Sequence, residues 1–139
     1  MFIATRCPYS NGYNERMQKL YTDYKDKEVA VLAINSNNTE PVAEMVEHAK
    51  KNGFTFTLLK DDGNVVADRY GAEFTPETFV LDADLIVRYH GRIDNSHKAS
   101  EANTHELRDA LDAIISGKGV PKKETKAFGC SIKRVKKTS

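Results

Sequence analysis

The stretch Met1-Phe2-Ile3-Ala4-Thr5-Arg6-Cys7-Pro8-Tyr9-Ser10 decides how the rest of the chain is read. An apolar run enters it, and a polar, helix-forming segment leaves it. Cys7 and Pro8 stand at the junction. Proline suits a first helical turn, because its missing N–H would have no partner there and its φ is already helical. That places the Cys7 sulfur beside a helix N-terminus, where free amides and the dipole favour a thiolate. Arg6 adds a neighbouring positive charge. A cysteine in this setting is expected to titrate below the ~8.5 of a free thiol. The residues alone leave a second reading open, an inert buried thiol, since free cysteine is among the most buried residue types.

Working outward, residues 1–5 read as a buried strand. A helix follows from around Pro8 to Asn11 as far as about Asp26, with Tyr13, Met17, Leu20, Tyr21 and Tyr24 at helical spacing. Gly12 in its first turn fits close packing against a neighbour. The apolar run within Glu28–Asn35 suits a central strand covered on both faces. A polar loop, Asn35–Asn38, comes next. Asn38 or Thr39 is placed to cap a helix with Pro41 in its first turn and Val42, Met45, Val46 and Ala49 as its inner stripe. Gly53 stops that helix, and Phe54–Leu59 alternates as a strand near a sheet edge. A turn at Asp61–Asn64 leads to a short helix, Val65–Tyr70. Glu77–Leu81 and Leu85–Tyr89 form an antiparallel hairpin about Asp82-Ala83-Asp84. After a polar loop, Thr104 caps a last helix whose inner face is Leu107, Ala110, Leu111, Ile114 and Ile115. Alternating strands and helices imply a central mixed sheet with helices on both faces.

The 139 residues suffice for one domain with a real core. With 21 Lys and Arg against 20 Asp and Glu, no global field points to nucleic acid. Positive charge gathers only after Gly117, at Lys118, Lys122, Lys123, Lys126, Lys133, Arg134, Lys136 and Lys137, and reads as a solvated tail. Residues 1–117 are thus expected to form the domain and 118–139 a basic tail. No run is long enough to span a bilayer. The apolar start has no basic n-region, so the chain as it stands reads as cytoplasmic. It reads as periplasmic or exported if an upstream signal has been removed. Two cysteines, Cys7 and Cys130, make no disulfide scaffold. His48, His90, His97 and His105 show no i,i+4 ligand pair, so no metal site is expected.

Phe74-Thr75-Pro76-Glu77 is the second punctuation mark. Pro76 either opens a strand, where it wastes no amide, or is a cis proline in a tight turn. Strand–Cys–Pro–helix followed by Thr-Pro–strand–turn–strand–helix is the order of the thioredoxin fold. The marks Cys7-Pro8-Tyr9, Ala33-Ile34-Asn35-Ser36-Asn37, Tyr70-Gly71-Ala72, Thr75-Pro76, Gly91-Arg92-Ile93-Asp94 and Gly129-Cys130-Ser131-Ile132-Lys133 span nearly the whole chain. On them the chain resembles the thioredoxin-like superfamily, in its redoxin branch of alkyl hydroperoxide reductase and thiol-specific antioxidant (AhpC/TSA) proteins. Its nearest likeness is the peroxiredoxin-like group with one cysteine in the thioredoxin position. Residues 39–59 match the helix–strand insertion of redoxins. Relatives carry a β-hairpin, and sometimes a signal peptide, before the first strand. Met1 then stands either as an internal methionine of a longer product or beside a sheet edge covered in another way.

The resemblance implies thiol–disulfide chemistry with Cys7 as nucleophile, no cofactor and an external thiol reductant. Thr75 and Pro76 would shape the substrate groove, beside Pro8 and Ser10, and the Thr75 backbone would pair with an extended peptide. The chain departs from the pattern at two points. Ser10 replaces the second cysteine of Cys-x-x-Cys, and could donate to the Cys7 thiolate or simply cap the helix. Ala4 stands where peroxiredoxins carry threonine. Cys130 could supply the missing resolving thiol by folding back onto Cys7, or it is an idle tail cysteine. Three functions stay open: a thiol-disulfide oxidoreductase acting on protein disulfides, a thiol peroxidase forming a sulfenic acid on Cys7, and a non-catalytic binding module. Gly91-Arg92-Ile93-Asp94 reads as a turn with a surface Arg–Asp pair, and the Asn35–Asn38 loop as one wall of the cysteine's cleft.

Overall fold

The computed structural model describes residues 1–136; Lys137, counted in the basic tail, lies outside them. The sheet is built outward from the first residues. Phe2 pairs in parallel with Ile34 on one side and antiparallel with Glu77 on the other. Its amide donates to the Glu77 carbonyl at 2.8 Å, and the Ile3 amide to the Ile34 carbonyl at 2.9 Å. Strand β1 (Leu32–Asn35) pairs in parallel with β2 (Thr57–Lys60), which forms the edge. On the far side β4 (Thr78–Leu81) and β5 (Val87–Gly91) make the antiparallel hairpin. The result is the expected thioredoxin-like α/β fold: a central mixed sheet flanked by helices, with α3 (Val42–Lys51) and β2 as the helix–strand addition.

Several boundaries move for physical reasons. The strand expected over residues 1–5 keeps ladder pairing only about Phe2, because the Thr5 and Arg6 amides donate instead to the Glu40 carboxylate. The first helix is two segments, α1 (Pro8–Gly12) and α2 (Asn14–Tyr24), hinged at Tyr13. A β-carbon at Gly12 would overlap the His97 carbonyl, so the position does require close approach. The hairpin turn runs on to Ile86, since the Asp82 carboxylate accepts from the Asp84 and Ile86 amides at 2.9 and 3.1 Å. Strand β5 therefore starts at Val87 rather than Leu85. Helix α3 takes Pro41 as its N-cap with no capping side chain. Of its expected stripe Met45 is buried, but Val42 and Val46 are each 53% exposed. Val42, Met45, Val46 and Ala49 line a groove shared with Phe54, Leu58 and Lys60, so the stripe is only partly covered.

The short helix α4 (Val65–Tyr70) forms as expected. The core joins Tyr13, Met17, Leu20 and Tyr24 of the first helical pair to Tyr89 and to Leu107, Ala110 and Leu111 of α5 (Glu106–Ile115). Ile115, expected inside, is exposed, and Ala113 is buried instead. The segment after Gly117 is not a free tail. Its backbone runs along β5, with the His90 amide donating to Lys123 O and the Thr125 amide to His90 O, both at 3.0 Å. Ala127 and Ile132 are buried, whereas Lys118, Lys122, Lys123, Lys126, Lys133 and Lys136 stay exposed. The charges are solvated as composition suggests, and the apolar residues between them hold the segment to the body. It ends in β6 (Cys130–Ser131), paired with β3 (Phe74–Thr75).

Candidate functional site

Cys7 is the N-cap of α1, extended at φ −82° and ψ 121°, with Pro8 beginning the helix. Its sulfur sits 3.5 Å from the Ser10 amide and 3.6 Å from the Thr75 carbonyl. Cys7 and Cys130 form a disulfide with Cα atoms 6.0 Å apart, inside the usual range of about 4.4–6.8 Å. The chain between them, a sequence separation of 123, is thereby closed into a loop. The Thr75–Pro76 peptide is cis, and both residues are buried. The fold thus brings together Cys7, Ser10, Thr75, Pro76 and Cys130, with Pro8 exposed at the rim.

Ser10 plays a different part from the one its spacing suggests. Its side chain is fully buried and its hydroxyl accepts from the Ala4 amide at 3.0 Å. It is the Ser10 backbone N–H, not the hydroxyl, that faces the sulfur. Arg6 also turns away: its guanidinium grips the Glu44 carboxylate through contacts of 2.9 and 2.6 Å. Glu44 therefore offsets the positive charge expected beside the thiol. Arg92 pairs not with Asp94 but with buried Glu106, through its Nε at 3.1 Å and through Nη2. Asp94, also buried, is held by Arg16 Nη1 at 2.7 Å. These ions tie loops to α2 and α5, and the expected Arg92–Asp94 surface pair is not formed.

Glu40 is the residue that sequence reasoning missed. Only 3% exposed, its carboxylate accepts from the Thr5 amide at 2.8 Å, the Arg6 amide at 3.0 Å and Asn35 Nδ2 at 2.8 Å. Burial pushes this carboxyl up, but the Thr5 and Arg6 amides with the Asn35 and Asn37 side chains outweigh it and hold the group below its usual range. Lys60 Nζ donates to the Glu40 carbonyl at 2.8 Å and so ties the same loop to the edge strand. The two residues just before Cys7 are therefore fixed by one buried anion. The sequence signal is a glutamate following the Asn-rich loop after β1. That loop also receives the C-terminal segment: Asn37 Oδ1 accepts from the Lys133 amide at 2.6 Å, and the Asn38 amide donates to the Lys133 carbonyl at 2.8 Å.

Behind Pro76, the Glu77 carboxylate accepts from the Glu73 and Phe74 amides at 2.9 and 3.1 Å and meets His90 Nε2 at 2.5 Å. This shapes β3, the strand that receives β6. Chemically, the arrangement offers two sulfurs that can exchange a bond, a backbone amide at one of them, and an extended strand edge alongside. Among the described residues no group of three or more His, Cys, Asp or Glu side chains is placed to hold a metal ion, and no helix is long and apolar enough to cross a membrane.

Residues 1–90 match the AhpC/TSA family. Among curated proteins, the chain is 31% identical over 96 residues to the thiol-disulfide oxidoreductase ResA of Halalkalibacterium halodurans, covering 69% of this chain and 50% of that protein. It is 31% identical over 81 residues to ResA of Geobacillus thermodenitrificans, covering 58% and 45%. The chain thus spans about half the length of the curated relatives it matches. Among solved structures, an uncharacterized conserved protein from Geobacillus kaustophilus aligns with TM-score 0.92 and 34% identity, over 99% of this chain and 77% of that one. The hypothetical protein SMc02350 from Sinorhizobium meliloti 1021 aligns with TM-score 0.89 and 34% identity, over 96% and 77%. A thioredoxin-like protein solved in its oxidized form, at 15% identity and TM-score 0.63 over 78% of this chain and 70% of that one, shares the fold.

Proposed function

The chain belongs to the AhpC/TSA family, and from that premise we propose that it is a thiol-disulfide oxidoreductase in which Cys7 attacks and Cys130 resolves. The observation that carries this reading is the Cys7–Cys130 bond lying against the Thr75 carbonyl. Two curated relatives bearing the name thiol-disulfide oxidoreductase support it. Ser10 in place of a second motif cysteine supports a reading in which a single cysteine stands at the thioredoxin position and the partner thiol comes from elsewhere in the chain.

The reduced Cys7 thiolate attacks one sulfur of a substrate protein disulfide, forming a mixed disulfide and releasing the other substrate sulfur as a thiolate. The Ser10 amide, 3.5 Å from the Cys7 sulfur, favours the ionised form. The Cys130 thiolate then attacks the Cys7 sulfur. The mixed disulfide breaks, the second substrate thiolate leaves, and the Cys7–Cys130 bond remains. Two electrons have passed to the substrate. An external thiol reductant returns them and restores both thiols. No step needs a metal, flavin or nucleotide.

The test is turnover of a protein disulfide such as insulin with dithiothreitol as donor, beside hydrogen peroxide consumption with the same donor. Disulfide reduction that disappears in Cys7→Ser, with no peroxide consumption above that variant, is the expected result. Peroxide consumption without disulfide turnover would select the thiol peroxidase reading. Inactivity in both assays would leave a binding module.

A further inference from the structure

We propose that residues 129–132 are an internal pseudosubstrate, and that the groove they fill selects extended protein segments of the pattern Gly-Cys-x-aliphatic. This deepens the reading above and rests on it. Three features of the bound segment carry the proposal.

The first is its backbone. Cys130 lies opposite Thr75 and Ser131 opposite Phe74 in an antiparallel ladder, and the Ile132 amide donates to the Glu73 carbonyl at 2.9 Å. An extended strand therefore meets β3 edge to edge, with its sulfur against Cys7. Strand addition of this kind supplies affinity through the main chain and specificity through side-chain pockets.

The second is the residue before the cysteine. Gly129 has φ +145°, and a β-carbon there would overlap the Thr75 carbonyl and press on Tyr9 Cβ at 3.4 Å. The groove has no space for a side chain at this point, and the conformation itself favours glycine.

The third is the residue two places after the cysteine. Ile132 is 5% exposed and packs with Phe2, Ala67 and Ala72, with Ile34, Val66 and Phe79 around them. Ser131, between, is paired with Phe74 through the backbone and is exposed. The groove thus reads a missing side chain, a sulfur, a free position and an aliphatic anchor, in that order. A substrate segment enters when reduction frees Cys130 and the chain's own strand is displaced.

The experiment uses the reduced full-length Cys130→Ser protein. The probe is a peptide copying residues 127–133, its cysteine carried as a mixed disulfide with thionitrobenzoate. Cys7 attacks the peptide sulfur, the peptide–thionitrobenzoate bond breaks, a Cys7–peptide disulfide forms, and the coloured thionitrobenzoate anion leaves. Peptides with alanine for the glycine or serine for the isoleucine should each react at least tenfold more slowly. A peptide with alanine for the serine should match the parent. The mixed disulfide of cysteamine with thionitrobenzoate reports the intrinsic reactivity of Cys7. The tail of the variant competes equally with every peptide, so ratios are read. Adding Ile132→Asp releases the chain's own strand from the buried Cys7 and should raise the parent-peptide rate by a larger factor than the cysteamine rate. Peptide rates equal within twofold, or peptides inert while cysteamine reacts, would overturn the proposal and leave the redox reading standing. If the cysteamine disulfide is also inert, Cys7 is no nucleophile and both readings fall.

Discussion

Cys7 and Glu40 illustrate what a single residue can and cannot disclose. The position of Cys7 before Pro8 is legible because capping and the fixed φ of proline are local rules. Its activation is predicted to rest on the Ser10 amide, since Arg6 is engaged by Glu44. In the reduced Cys130→Ser protein, the pH midpoint of Cys7 alkylation is expected below the ~8.5 of a free cysteine; a mass-resolved alkylation series measures it. Glu40 was not legible, because its partners Thr5 and Arg6 lie 35 and 34 residues away in sequence and meet it only in the fold. Its carboxyl is held below the ordinary range, so the folded state binds its proton less readily than the unfolded chain does. The stability it contributes is therefore present above the unfolded pKa of ~4.3 and is lost as pH falls through the lower folded value. Glu40→Gln turns an amide toward two backbone donors. It should cost about 1–3 kcal/mol at neutral pH and flatten the acid limb of a urea-denaturation series below pH ~4.3.

Among elements, those governed by local periodicity were read well and those governed by their neighbours were not. The hairpin, the edge placement of β2 and the core face of the first helix follow from period and turn chemistry. The α3 stripe did not, because spacing shows which residues share a face and not how wide the opposing surface is. Met45 is buried while Val46 is half exposed. Met45→Ala should therefore cost about 2–5 kcal/mol in chemical denaturation, and Val46→Thr should stay within about 0.5 kcal/mol. The C-terminal segment departs from its expected form for a related reason. Its charge marked it as solvated, yet Ala127 and Ile132 are buried between exposed lysines. Strand β6 depends on Gly129, and Gly129→Ala should slow closure of the Cys7–Cys130 bond on mild oxidation while far-ultraviolet circular dichroism of the body stays unchanged.

At the scale of the molecule, the order of elements carried the fold, since strand–Cys–Pro–helix and a distant Thr-Pro strand are compatible with few sheet topologies. The pairing of two cysteines 123 residues apart was only one of two readings, because sequence carries no distances. Closing so long a loop stabilises the folded chain by about 5 kcal/mol in the chain-entropy account. Reduction should lower the melting temperature, and Cys130→Ser should melt with the reduced protein. The central claim concerns exchange rather than stability, and it is tested most directly by intact mass after one turnover with a protein disulfide substrate. The account predicts a stable adduct joining Cys7 of the Cys130→Ser protein to one substrate chain, and no adduct on the wild type, which ends with Cys7 bonded to Cys130. An unmodified Cys130→Ser protein, or an adduct that dissolves as fast as in the wild type, would contradict it.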